Sequence, residues 1–432
     1  EKRLCAGSKQ MGRLCGDSSA VSFLCGKRGE MNKTAFMASE FNPFHKGHKY
    51  IISSVKQNFG IENLIAGMSG SFVQRGGPAV FDKKVRATAA VKGGADLVVQ
   101  LPFVYCAQTA EMFALGAVAT AINCEADHIC FGAEDVLPGK FFRAAELIES
   151  GDLAELIAEE EENVPFAAAR IKALEKATGE DHSFLNKPNN ILALEYMRAI
   201  IKLGAEIKPL VLKRDPDLVP SSTIRKMLEE AKISEALSCV PAECYRTEGG
   251  FEELRKVFGG TFHSFDDYLE VMKAFIILRT AAKLENVADM PSGFSNRLKN
   301  KAYLLDKGSE TFLKTANTKT VPDSRIRRCL INLLMGYSKE DMVFFKEEYP
   351  SYVRLLAAGE KGRVILREIN ESGKSVITKL SDFISSKKSF ETADMKSIMF
   401  DMKADDLYYL NQNITGADLK YTPYIEKKDN KK

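Results

Sequence analysis

From Thr34 onward the chain alternates short apolar runs with stretches of helical periodicity, and this alternation narrows the fold more than any other feature. Thr34–Ser39, Asn63–Met68, Asp96–Leu101, His128–Phe131 and Ile207–Leu212 each read as a buried strand. Helical patterns stand between them. One runs from His48 to Phe59, one opens on Asp82 as N-cap and closes at Gly93-Gly94, and one covers Ala110–Ile122. Strands separated by helices join through crossovers rather than hairpins. The fold class expected is therefore α/β, with a doubly wound parallel sheet.

The acidic stretch from Glu146 to Glu162, with eight acids and no base, reads as the solvated face of a helix over Ala144–Glu162. Beyond about Lys232 the pattern changes to consecutive helices, expected over Phe251–Val257, Tyr268–Leu284, Gly293–Leu304, Arg325–Met335, Lys339–Glu347 and Tyr352–Ala358. A boundary is placed near residues 232–250, before a mostly helical C-terminal domain over 236–425 and a tail over 426–432. Patterning starts only after Met31. Glu1–Glu30, with Cys5, Cys15 and Cys25 but no apolar core of a signal peptide, is expected to be an extension outside the fold.

Charge excludes little: 61 bases against 58 acids leave a net +3. Locally, Arg297 to Arg328 holds nine bases and three acids, enough to track a phosphate backbone. No membrane partner is expected, because the longest apolar run, Met112–Ile122, is well short of the roughly 20 residues a spanning helix needs. Nine cysteines without a CxxC pair read as free thiols in a reducing cytoplasm rather than as a zinc site, and no protein-held metal is expected.

The chemistry concentrates in Ala38-Ser39-Glu40-Phe41-Asn42-Pro43-Phe44-His45-Lys46-Gly47-His48-Lys49-Tyr50-Ile51, where the first strand hands over to the first helix. In an open parallel sheet that is where ligands bind. Two histidines three apart at a helix start share a face, Gly47 lets a ligand approach the backbone, and the helix N-terminus favours anions. Neither a GxGxxG nor a Walker motif occurs. Gly132 at the end of the fourth strand, Asn190 in the Pro188-Asn189-Asn190 turn and Arg214 after the fifth strand are further candidates. Ser221, Ser222, Thr223 and Arg225 form a possible second phosphate site, with hydroxyls and free N–H groups at one helix start.

The His-x-Gly-His core resembles the HxGH nucleotidyltransferase superfamily, whose sheet is Rossmann-like. Further segments resemble one family, the bacterial tRNA(Met) cytidine acetate ligases. They are Ser69-Gly70-Ser71-Phe72-Val73-Gln74-Arg75-Gly76, Asp82-Lys83 with Arg86, Phe131-Gly132-Ala133-Glu134, Lys187-Pro188-Asn189-Asn190, Asn296-Arg297-Leu298 and Lys403-Ala404-Asp405-Asp406-Leu407-Tyr408-Tyr409. The resemblance implies a catalytic domain over residues 31–235 that adenylates acetate with ATP, accompanied by Mg2+, and passes the acetyl group to the wobble cytidine of elongator tRNA(Met). It implies that His45 and His48 act on the phosphates, and that Ala38 through Ile51, Gly132, Asn190 and Arg214 contact ATP. The helical domain would hold the tRNA, with Arg297, Lys299, Arg325, Arg327 and Arg328 as candidate contacts.

Two places depart from the family pattern: Gln100 stands where Glu is expected, and the stretch after Lys213-Arg214 is short. Two other readings compete, a small-molecule adenylyltransferase of the same superfamily and a non-catalytic RNA-binding protein.

Overall fold

Five parallel strands form the centre of the sheet: β1 (Thr34–Ser39), β2 (Asn63–Ser69), β3 (Leu97–Leu101), β4 (His128–Ala133) and β5 (Lys208–Lys213). The structure, a computed structural model, describes residues 33–426 apart from 162–163, 165, 216, 246–261, 388 and 413. The strand order is β3-β2-β1-β4-β5. The chain thus builds outward from β1 to one side and then to the other, and the reversal beside β1 opens a crevice at the carboxyl ends of the strands.

The strands read as continuous apolar runs because both faces are covered. Phe36, Ile65, Val99, Ile129 and Phe131 pack with α3 (Ala110–Asn123) and α4 (Pro188–Lys202). Their neighbours Ala35, Met37, Leu64, Ala66, Val98 and Cys130 pack on the opposite face with α1 (Lys46–Phe59) and α2 (Lys83–Lys92). α5 (Ser221–Glu229) joins that second layer through Ile224 and Leu228. Asp82 caps α2 as expected, its Oδ1 accepting from Val85 N at 2.9 Å.

Tyr352–Ala358, expected to be a helix, is a strand, β6, with all seven residues buried. It pairs antiparallel with β3, Leu97 opposite Ala358 and Val98 opposite Ala357. An apolar run that is buried on every side carries no period that separates strand from helix. β7 (Ser375–Ile377) and β8 (Tyr424–Ile425) add to β6 in parallel, so the sheet is mixed and draws strands from beyond residues 232–250. The region between is largely helical, as expected, and includes α6 (Asp323–Met335) and α7 (Ala393–Tyr408).

Three expected helices are broken. The acidic one is two, Pro138–Glu149 and Ala154–Glu161, separated at Gly151 with φ +84°. Tyr268–Leu284 divides into Leu269–Leu278 and Ala281–Glu285 where Thr280 begins a new cap. Gly293–Leu304 is helical over Phe294–Lys301 and continues as a 3-10 turn. The expected helix Phe251–Val257, the extension Glu1–Glu30 and the tail beyond Glu426 lie outside the described residues.

Beneath the Ser69–Gly76 loop lies a buried charge network. Lys83 Nζ meets Asp405 Oδ2 at 2.6 Å, Gln100 Oε1 at 3.2 Å and Asp418, while Arg354 holds Asp418 in a fork of 2.6 and 2.7 Å. Asp405 Oδ1 accepts from Ser71 Oγ at 2.5 Å, and Asp401 Oδ1 from Phe103 N at 2.7 Å. Three carboxylates face two cations, and burial pushes the Asp401 carboxyl up to about 6. Gln100, uncharged where the resemblance leads one to expect Glu, thus avoids a fourth acid. Between the ordinary carboxylate value and about 6, the folded chain holds a proton at Asp401 that the unfolded chain has released. Stability from this group is therefore lost as pH rises through that window. Asp401→Asn should gain on the wild type by about 2 °C in melting temperature between pH 4 and pH 7.5. A difference that stays constant over that range would contradict the assignment.

Candidate active site

The turn from β1 into α1 is held from several sides. Arg86, fully buried, donates to the carbonyls of Phe81 (2.9 Å), Glu40 (2.7 Å), Ser69 (3.0 Å) and Gly70 (2.5 Å). Asn42 Oδ1 accepts from Val80 N at 2.8 Å, and Tyr245 Oη donates to Phe44 O at 2.6 Å. Phe41 has φ +46°, a conformation a bulky side chain keeps only where its surroundings impose it.

The helix begins two residues earlier than its apolar pattern implies, at Lys46, because His45 is its N-cap. His45 Nδ1 accepts from Gly47 N at 3.0 Å, and His48 Nδ1 accepts from His45 N at 3.2 Å. This reciprocal capping fixes both tautomers with the proton on Nε2. His45 Nε2–H donates to Ser221 Oγ, 2.9 Å away at the start of α5. The His48 ring stacks on Phe44 and meets the edge of Phe41, with centroids 5.7 and 5.0 Å away. The two imidazoles are 3.9 Å apart.

Burial, reinforced by Arg214 and Arg225, holds His45 at about 4. Burial, then the neighbouring His45, holds His48 well below the ordinary value. Both are therefore neutral hydrogen-bond donors at neutral pH. Gly47 is required for this geometry: a Cβ there would stand 2.7 Å from His45 Cε1. Gly47→Ala should lower stability by no more than about 1–2 kcal/mol, the cost of a disturbed N-cap, but should lower turnover at least about tenfold by displacing the ring. Unaltered turnover would show that the His45 position is not critical.

Gly132 and Arg214 lie together: a Cβ on Gly132 would be 3.1 Å from Arg214 Cγ and 3.8 Å from Ile51 Cδ1. Arg214 Nη1 donates to Asn189 Oδ1 at 2.9 Å, and Arg225 Nη1 to Asn42 O at 2.8 Å. Among the described residues neither guanidinium is in an ion pair, so both keep their charge for an anion. Ser222 and Thr223 are exposed at the start of α5, and Thr223 N is already bonded to Pro220 O at 3.0 Å.

Other expected residues are differently occupied. The Asn190 amide is buried and spent within the protein: Oδ1 accepts from Glu134 N and Asp135 N, and Nδ2 donates to Asp135 and Phe184 O. Its neighbour Asn189 is the one that reaches Arg214. Lys49 pairs with Glu243, and Lys46 and Tyr50 face solvent. Of the basic segment, Arg297 caps carbonyls of Thr315, Ala316 and Asn317, and Lys299 those of Ile276, Ile277 and Arg279. Arg325 and Arg328 share Asp289, and Arg327 lies over the Phe265 ring at 4.5 Å. Arg86 was in the quoted motif, but nothing in its spacing shows that four carbonyls converge on it.

Neutral donors and guanidiniums that are outside any ion pair among the described residues suit the charge of a nucleotide's phosphates, and they stand at the crevice where an open parallel sheet binds ligands. The chain belongs to the HIGH Nucleotidyl Transferase family, whose model matches residues 31–421. Among its relatives is the tRNA(Met) cytidine acetate ligase of Thermoanaerobacter sp. (strain X514), 33% identical over 88% of this chain and 96% of that protein. The protein of the same description from Clostridium perfringens (strain ATCC 13124) is 30% identical over 91% of this chain and 100% of its own. The fold matches a crystal structure of Thermotoga maritima TmcAL bound with alpha-thio ATP, with TM-score 0.83 and 26% identity over 91% of this chain and 99% of that one. The apo form of that protein matches with TM-score 0.82. Homology thus supports an ATP-dependent enzyme of the nucleotidyltransferase and ligase kind. Among the described residues no helix is long and apolar enough to cross a membrane.

Proposed function

We propose that the protein is a tRNA(Met) cytidine acetate ligase. A carboxylate oxygen of acetate attacks the α-phosphorus of ATP, the bond to pyrophosphate breaks, and acetyl-adenylate forms. The exocyclic amine of the wobble cytidine in elongator tRNA(Met) then attacks the acetyl carbon. AMP leaves, the amine loses a proton, and N4-acetylcytidine results.

The observation that carries the reading is the neutral His45–His48 pair. Nε2–H of His45 bridges to Ser221 on α5, while Arg214 and Arg225 flank the pair and, among the described residues, neither is in an ion pair. Such donors match charge that grows on phosphate oxygens in the transition state, and the step needs no protein nucleophile. The relatives' shared description supplies acetate and tRNA(Met) as the substrates. Mg2+ would accompany the nucleotide through the phosphate oxygens, the usual mode for this ion.

Incubating the protein with ATP, acetate and tRNA and analysing the nucleosides by mass spectrometry tests the proposal. N4-acetylcytidine confined to elongator tRNA(Met) is the expected product. Adenylylation of a small phosphorylated acceptor with every tRNA left unmodified would favour the small-molecule adenylyltransferase instead.

A further inference from the structure

Away from the His pair, a cleft of about 440 Å³ is lined by His263, Asp267, Tyr268, Tyr408, Asn411 and Gln412. The His263 ring lies on Tyr408, centroids 3.7 Å apart and planes 23° from parallel, with Tyr409 edge-on at 6.1 Å. The platform is fixed. Tyr408 Oη donates to Ala79 O at 2.9 Å, and His263 N to Val80 O at 3.4 Å. Gln412 Nε2 lies 3.0 Å from His263 Nε2, and Asn411 Nδ2 donates to Asp267 O at 3.2 Å.

Two properties define what fits. Aromatic faces with amide edges suit a planar, hydrogen-bonding ring, since unstacked RNA bases are held by stacking and by their polar edges. Among the described residues that line the cleft the one formal charge is the carboxylate of Asp267, which disfavours a phosphate and favours a base bearing an exocyclic amine. The position is also suitable. Val80, whose carbonyl meets His263, donates its N–H to Asn42 in the turn that carries His45, so one short segment, Ala79–Phe81, separates the cleft from the His pair.

We infer that this cleft takes one unpaired, amine-bearing nucleobase of the RNA substrate, stacked against the His263–Tyr408 pair; the inference rests on the tRNA reading above. Because the segment Ala79–Phe81 stands between the cleft and His45, the base held here is a neighbour of the reacting cytidine in the loop and not that cytidine itself. The base-specific contacts would then lie here, while Arg297, Lys299, Arg325 and Arg328 are engaged within the protein.

The test uses the full chain, elongator tRNA(Met) transcripts, and the variants His263→Ala and Asn411→Ala/Gln412→Ala, the latter at two exposed positions that leave the fold intact. His263→Ala should raise the KM for tRNA roughly 5- to 150-fold, the range of one base–aromatic stack. Acetate-dependent exchange of pyrophosphate into ATP should stay within twofold of wild type, and the salt slope of KM should not change, because no phosphate contact is lost. An abasic substitution at one anticodon-loop position should raise the wild-type KM similarly and add nothing in His263→Ala. A KM within twofold of wild type in both variants would overturn the inference, as would additivity at every abasic position. So would loss of exchange in Asn411→Ala/Gln412→Ala. If wild-type protein acetylates no tRNA, the underlying reading falls, a result separate from these.

Discussion

Replacing His45 by Asn should lower acetate-dependent exchange of pyrophosphate into ATP by about 10²–10³-fold, the usual cost of removing one preorganised donor from a developing oxyanion. Asn is chosen because it keeps an N-cap acceptor for Gly47 N, so α1 should start as before. What is lost is Nε2–H, which reaches Ser221 at 2.9 Å. If that group serves the transition state alone, kcat and kcat/KM fall together. Wild-type exchange in a folded His45→Asn protein would remove His45 from the chemistry, and a rise in KM with kcat unchanged would reduce it to ground-state binding.

The largest effect on stability is expected at Arg86. Its guanidinium reaches four carbonyls from three segments, and no carboxylate is hydrogen-bonded to it among the described residues. Arg86→Met fills much of the volume but leaves those carbonyls buried without donors, which should cost about 3–5 kcal/mol. Because Glu40 O and Ser69 O are among them, the same change releases the catalytic turn from the end of β2. Urea unfolding should therefore show a lower midpoint with an unchanged slope, and exchange activity should fall even under conditions where the variant is fully folded. A loss below about 1 kcal/mol would mean that water satisfies the carbonyls and that the clamp does not organise the turn.

The parallel core was legible because each of its strands is a short apolar run between helical patterns, and because Asp82 and Gly93 mark helix ends in ways that local chemistry dictates. β6 was not. Tyr352–Ala358 is buried on both faces, so its composition carries no alternation, and its partner β3 lies some 250 residues earlier, beyond the reach of any local signal. In the site, His45, Gly47 and His48 were legible as a motif, but their tautomers were not, since these depend on the turn geometry that brings Gly47 N to His45 Nδ1 and His45 N to His48 Nδ1. The basic segment shows the opposite case. Nine bases mark a candidate RNA surface in sequence, yet Arg297, Lys299, Arg325 and Arg328 cap helix carbonyls or share one buried aspartate. Charge counts do not distinguish a cation facing solvent from one committed to the fold. His263 and Tyr408, far apart in sequence and unremarked in composition, meet only in the folded chain.

In the proposed reaction acetate itself attacks the α-phosphorus of ATP, and the fate of its oxygens separates this route from any other. With acetate labelled with 18O at both oxygens, ATP and elongator tRNA(Met), acetyl transfer cleaves the acyl carbon–oxygen bond and leaves the attacking oxygen on phosphorus. The account predicts that AMP isolated after turnover carries one 18O atom at its phosphate and that pyrophosphate carries none. AMP free of label, alongside acetylated tRNA, would contradict it.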